Sequence, residues 1–251
     1  MLTYPEYKER NKVYLSDKKD DTAIYRIMPM SRLEQMLQTR TNTLVKINLW
    51  EDPYENFFFK SNFKSSKGFV SADEVASRIF GQCWSFFKDS DALWRIYSPD
   101  KQSVRIKTTL SKLYNSAYTD DSCMATTTMG AVSYKTKKDL ITWIEANTPI
   151  SLSDIDKIGK ESLFFKRNNF SHEQELRLIY MEAVSSSGGN NIKQYDIDPI
   201  DFIEEISFDP RCEESYFTAY KEYLQKKYSY PKDSINKSVL YRFNPIQIDL
   251  I

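Results

Sequence analysis

The chain has 251 residues, with 35 Lys and Arg against 35 Asp and Glu, so its formal net charge is zero. A balanced charge produces no summed field that would draw a phosphate backbone, which argues against a nucleic-acid binder driven by bulk charge and leaves room only for a local basic patch. Apolar residues make up 41% and aromatics 14%, including 17 Tyr, 15 Phe and 4 Trp, which is ample for a packed core and excludes a wholly disordered chain.

Residues 1 to 21 are charged and dotted with tyrosine, ending in the run DKKDD, and are expected to form a solvated arm ahead of one α+β domain over residues 22 to 251. TAIYRIM, β-branched and aromatic, predicts a strand; SRLEQMLQT predicts a helix with Ser31 as its N-cap and Leu33, Met36 and Leu37 on one face. NTLVKINLWEDPYENFFF predicts a strand that turns at Asp52-Pro53, where proline fixes φ and disfavours helix in the residue before it. GFVSADEVASRIFGQ reads as a capped helix, QCWSFF as a buried strand and SDALWRIY as a short helix.

SVRIKTTLSKLY alternates and then becomes amphipathic, GAVSYKT is a strand candidate, and KKDLITWIEAN is a helix. ESLFFKR is expected to continue a helix into HEQELRLIY, the best strand in the sequence. The SSSGGNN tract, 185 to 191, reads as a loop, with strand-like KQYDIDP and FIEEISFDP close behind it. EESYFTAYKEYLQKKY is a helix with an aromatic and a charged face, and SVLYRF a late strand. The order of elements is mixed rather than strictly alternating, which predicts α+β with mixed, mainly antiparallel sheets and peripheral helices.

Cys83, Cys123 and Cys212 are three and widely spaced, which fits neither a disulfide framework nor a metal or redox pair. No apolar leader and no run of eighteen apolar residues occurs, so a soluble protein of a reducing cytoplasm, without a membrane partner, is expected. His172 is the sole histidine, no glycine-rich phosphate loop is present, and no metal is expected.

On a strand, Glu173, Glu175 and Arg177 project together while Leu176, Leu178 and Tyr180 fill the other face. One account is a half-solvated charge ladder. The other is chemical: two like carboxylates oppose each other's ionisation, so one stays charged while the other takes a proton, and a fixed carboxylate stabilises the cationic sugar formed when a glycosidic bond breaks. Asp52 and Glu55 flank a proline turn, either as caps or as ligand groups. The aromatic block CWSFFKDSDALWRIY, with Trp94 and Tyr97, suits a core or the sandwiching of a flat ligand.

IYRIM, NLWEDPYENFF, CWSFFKDSDALWRIYSPDKQSVRI, GAVSYKT, FFKRNNFSHEQELRLIY and FIEEISFDP, in this order over about residues 22 to 243, resemble the bacterial domain of unknown function numbered twenty-nine seventy-one. Glu51 stands where that family has Asn before Asp-Pro, Leu93 where it has Met before Trp, Ser103 where glycine is common, and Phe170 or Ser171 where a late tryptophan is expected. The family's layout is similar to that of ADP-ribosyltransferases, whose resemblance implies NAD as substrate. It implies that Arg26 anchors the phosphates or ribose, with Tyr25 beside it; Ser85 orders the nicotinamide half; Glu175 holds the ribose 2-hydroxyl and stabilises the oxocarbenium; Glu173 polarises the acceptor; and Trp94 or Tyr97 stacks on nicotinamide. Asp52, Glu55 and Arg177 complete the substrate-binding candidates. The expected activity is transfer of ADP-ribose to an unidentified macromolecule, as a toxin or anti-phage effector. The rivals are a non-catalytic nucleotide- or protein-binding module on the same fold and a metal-free nuclease.

Overall fold

The computed structural model describes residues 11–65, 68–118, 125–151, 154–182 and 190–248. Residues 1 to 10, Cys123 and 185 to 189 of the SSSGGNN tract lie outside them. In chain order the elements are β1 (Lys12–Val13), β2 (Ala23–Pro29), α1 (Met30–Thr39), β3 (Thr41–Lys46), β4 (Phe63–Ser65), β5 (Gly68–Val70), α2 (Asp73–Ala76), β6 (Ile79–Ser85), α3 (Asp91–Tyr97), β7 (Ser103–Thr109) and α4 (Leu110–Ala117). There follow β8 (Ala125–Ala131), β9 (Ser133–Lys135), α5 (Lys137–Asn147), α6 (Ile155–Ser162), β10 (Phe165–Arg167), β11 (Glu175–Glu182), β12 (Ile192–Asp196), α7 (Pro199–Phe202), β13 (Glu205–Phe208), α8 (Glu214–Tyr228) and β14 (Ile235–Lys237). The class is α+β with mainly antiparallel pairing, as the mixed element order predicts.

Local chemistry accounts for many boundaries. Ser90 caps α3 by accepting from the Leu93 amide, and Thr136 with Asp139 closes a capping box on α5. Helix α1 departs from expectation: Pro29 is its N-cap, so Ser31 lies inside the helix and caps nothing. The helix expected over GFVSADEVASRIFGQ shrinks to the four residues of α2, because the ladder to β11 captures Ile79–Ser85 as a strand. ESLFFKR likewise divides, helical to Ser162 and extended from Phe165. The late strand forms at Ile235–Lys237 rather than in SVLYRF, where Ser238 turns its hydroxyl to Asp89 and accepts from the Leu240 amide.

The chain forms two compact units. The first holds the described residues up to Ile24, Thr41–Phe86 and Thr109–Ile197; the second holds Tyr25–Arg40, Phe87–Thr108 and Asp198 onward. In the first unit β11 is central, antiparallel to β6 on one side and to β8 on the other. β1 extends β8 in parallel, and β3 joins β6 to β12. β9 and β10 form a separate parallel pair with Tyr134 opposite Lys166. Its core includes Phe58, Phe59, Ile79, Phe164, Ile179 and Met181, and within the charged N-terminal segment Leu15 is buried.

In the second unit the strand order is β2, β7, β13, β14. Trp94, Val104, Ile106, Phe208 and Leu224 are among its buried apolar residues. Arg105, 3% exposed, pairs with Asp89 and Glu205 and lies over the Tyr25 ring. Among the described residues no helix is long and apolar enough to cross a membrane.

Candidate active site

The HEQELRLIY segment is not one strand. Residues 168 to 173 form a 3-10 turn, Gln174 takes a left-handed conformation at φ 45, and β11 starts at Glu175. Glu173 therefore sits on the turn and Glu175 on the strand, yet both carboxylates reach one ammonium: Lys166 Nζ lies 2.6 Å from Glu173 Oε2 and 3.1 Å from Glu175 Oε2. β11 is also buried on both faces up to Ile179, so the charge-bearing face is not half solvated; Arg177 is 0% exposed.

Arg177 holds Glu175 through Nε to Oε1 at 2.9 Å and Nη2 to Oε2 at 3.2 Å, donates from Nη1 to the Leu163 carbonyl, and reaches Glu55 Oε1 at 3.0 Å. Glu55 in turn lies 2.8 Å from Lys166 Nζ. The Trp50 ring covers the guanidinium at 4.6 Å. Three carboxylates thus meet two cations within the first unit, leaving one negative charge when all five are ionised.

The two glutamates of the Glu-x-Glu pair are driven apart. Burial pushes the Glu175 carboxyl up, but Arg177 and Lys166 more than offset it and hold the group at about 2. Burial raises Glu173, Lys166 opposes the rise, and Glu175 and Glu55 add to it, so its proton affinity ends above the ordinary carboxylate value. Lys166 is raised despite burial, because Glu175 and Glu55 favour its charged form. The Cys83 thiol faces the same cluster and is pushed up by burial and by Glu175.

The remaining sequence candidates divide by unit. Ser85 pairs with Glu175 across β6 and β11 and donates its hydroxyl to the Glu173 carbonyl at 2.7 Å, so it shapes the turn that carries Glu173. Asp52 caps its own turn and pairs with Arg167 at 3.1 Å; Glu55, read from the same proline turn, belongs to the cluster instead. Tyr25, Arg26, Trp94 and Tyr97 belong to the second unit. Tyr25 is buried against Arg105, and Arg26 lies half-buried in β2. Trp94 does not offer a stacking face: it is 0% exposed and its indole donates to Asp89 at 2.8 Å. Tyr97 is 46% exposed. His172 is an exposed turn residue.

Sequence reasoning missed Lys166, which bridges all three carboxylates, and Tyr134, whose oxygen accepts from the Glu175 amide at 2.9 Å. The available signal was the FFKR run, a lysine directly after the apolar Leu163-Phe164-Phe165 and seven residues before Glu173.

A mixed α+β fold holding a buried, net-acidic cluster with two carboxylates of opposed proton affinity has the features of a site where positive charge develops. The family model described as "Protein of unknown function (DUF2971)" matches residues 93–178, a span that includes Tyr134, Lys166, Glu173, Glu175 and Arg177. Among solved structures the chain is similar to Thermus sp. 2.9 DarT in complex with NAD+, at 11% identity over 88% of this chain and 96% of that one, with a TM-score of 0.39. It is similar also to that protein in complex with ADP-ribosylated ssDNA, at 10% identity over 90% and 96% with a TM-score of 0.40. For the complex with carba-NAD+ the figures are 11%, 87%, 96% and 0.37. No curated protein matches the sequence.

Proposed function

We propose that the cluster around Glu173 and Glu175 cleaves the N-glycosidic bond of NAD and passes ADP-ribose to a macromolecular acceptor. The observation that carries this reading is the opposed behaviour of the two glutamates on one shared ammonium: Glu175 held ionised and Glu173 shifted toward protonation. Nicotinamide leaves as a neutral molecule, so its departure needs no acid. The positive charge passes to the ribose ring, and the excess negative charge of the cluster stabilises it. The acceptor then attacks the anomeric carbon and Glu173 takes its proton, while Glu175 stays ionised as an electrostatic anchor. Ser85 holds the Glu173 turn.

The test is nicotinamide release from NAD by wild type, Glu173→Gln and Glu175→Gln, with a cell lysate and a single-stranded oligonucleotide as separate acceptor arms. Removing the base at Glu173 should lower turnover by about 10²-fold or more with the fold retained, and Glu175→Gln should abolish it. Release by Glu173→Gln equal to wild type, with Glu175→Gln folded and equally active, would sink the assignment. NAD-dependent thermal stabilisation without release would favour the binding module.

A further inference from the structure

Beside the cluster, and wholly within the first unit, lies a cavity of about 310 Å³ whose walls include Tyr14, Phe86, Ser133, Tyr134 and Glu175. The reaction proposed above makes no use of this cavity or of the Tyr134 phenolic proton, although Glu175 and Tyr134 both line it. Tyr134 is placed there by register: β9 and β10 run parallel with Tyr134 opposite Lys166, and paired residues of a parallel ladder project to the same face. Both side chains consequently face the Glu173–Glu175 corner.

A phenol carries one O–H donor and two lone pairs. The Tyr134 oxygen spends a lone pair on the Glu175 amide at 2.9 Å, and among the described residues its own proton is donated to no protein acceptor. That proton is available to the cavity. The phenol remains protonated at any ordinary pH, since burial and the neighbouring carboxylates lift it to about 12.

The chemistry of the walls separates two kinds of ligand atom. Carboxylates accept hydrogen bonds and so suit the hydroxyls of a sugar, whereas a phenolic donor suits an acceptor, and an amide carbonyl is a better one than a hydroxyl. Phe86 and Tyr14 line the cavity with aromatic rings, the Lys18 ammonium lying 5.6 Å from the Phe86 centroid, and aromatic walls suit a flat heteroaromatic ring better than a puckered sugar. We infer that Tyr134 is a specificity-determining residue of this site, donating its phenolic proton to the carboxamide oxygen of a nicotinamide ring held in the cavity against Phe86 and Tyr14. The inference rests on the proposed cleavage of NAD and adds to it a residue and a substrate atom.

The experiment compares NAD with thionicotinamide adenine dinucleotide, in which sulfur, a poor acceptor, replaces that oxygen, on wild type and on Tyr134→Phe. Wild type should bind NAD roughly tenfold more tightly than the thio analogue, as a lost hydrogen bond of ordinary strength implies. Tyr134→Phe should lose about that factor on NAD and less than about twofold on the analogue. Equal losses on both ligands would reduce Tyr134 to a support for the Glu175 backbone and overturn the inference, as would a wild type indifferent to the sulfur, a comparison that needs no variant to fold. Wild type that releases nicotinamide while Tyr134→Phe is unchanged overturns this inference alone; wild type that neither binds nor cleaves NAD overturns it together with the proposed function.

Discussion

Glu173 and Glu175 stand two residues apart, share one lysine, and shift in opposite directions. Arg177 accounts for the largest part of the lowering at Glu175, which it grips with two nitrogens, and it does not pair with Glu173. Linkage makes this a statement about stability. The folded pKa of Glu175, about 2, lies below the ordinary value of 4.5, so its ionised form adds stability that is present above about 4.5 and lost as pH falls toward 2. Glu173 has the opposite sign: with its folded pKa raised, its contribution is present below 4.5 and lost as pH rises through the folded value. Chemical denaturation across pH 2 to 7 should therefore show a wild-type acid limb that flattens in Glu175→Gln, a variant also about 3–5 kcal/mol less stable at pH 7 because Arg177 and Lys166 lose a buried partner. An acid limb of unchanged slope would show that Glu175 is not held ionised by the fold.

At the scale of elements, the cluster depends on how closely β6 and β11 approach their cover. Gly81 of β6 pairs with Ile179 of β11, and a Cβ at Gly81 would lie 2.4 Å from Trp50 Cζ2 and 3.1 Å from Ile179 Cδ1. The missing side chain is what lets Trp50 lie over Arg177. Gly81→Ala is expected to cost about 1–3 kcal/mol by overpacking and to shift Trp50 off the guanidinium, which a chemical-denaturation midpoint and tryptophan emission would report together. Unchanged stability and emission would mean that the ring yields freely. Sequence patterns foretold β2, β3, β6, β7 and β11, and helices α1, α3, α5 and α8, because each carries its own periodicity or cap. The Glu-x-Glu-x-Arg block was legible as charges brought together, but Glu173 reaches Lys166 from a 3-10 turn and not from the strand on which all three were expected. What escaped was non-local: Lys166 reaches Glu175, and Glu55 reaches Lys166 and Arg177, only after a proline turn and the β10 strand are folded against β11, and the αL turn at Gln174 has no glycine to announce it. The helix expected across residues 68 to 82 was overruled by strand pairing, as amphipathic spacing over a short apolar run cannot tell a buried strand from a helix.

For the whole molecule, the decisive feature is that neither unit is continuous in sequence. The chain passes between them five times, at 24/25, 40/41, 86/87, 108/109 and 197/198. No single cut releases the second unit intact, and the cut at 197/198, which keeps every segment of the first unit on one piece, tests this directly. A chain ending at Ile197 lacks β13, β14 and α8, so β7 loses the strand that pairs Ile106 with Ile206 and Arg105 with Ser207. Arg105, 3% exposed, would lose Glu205 at 2.8 Å and the Ser207 hydroxyl at 2.9 Å while keeping Asp89, and Val104 and Ile106, both 0% exposed, would lose their cover. A buried cation stripped of one partner and a strand stripped of one of its two neighbours together cost several kcal/mol, which approaches the whole margin of a folded domain at roughly 5–15 kcal/mol. Hydrogen exchange should then show the β7 amides of the truncated chain exchanging at rates close to those of the unfolded state. The complementary piece from Asp198 onward should show no cooperative unfolding, since β2, β7 and α1 of its unit are absent. Protection of the Ile106 amide at its full-length value in the truncated chain would show that β7 is held by something other than β13 and that the second unit does not require its C-terminal third.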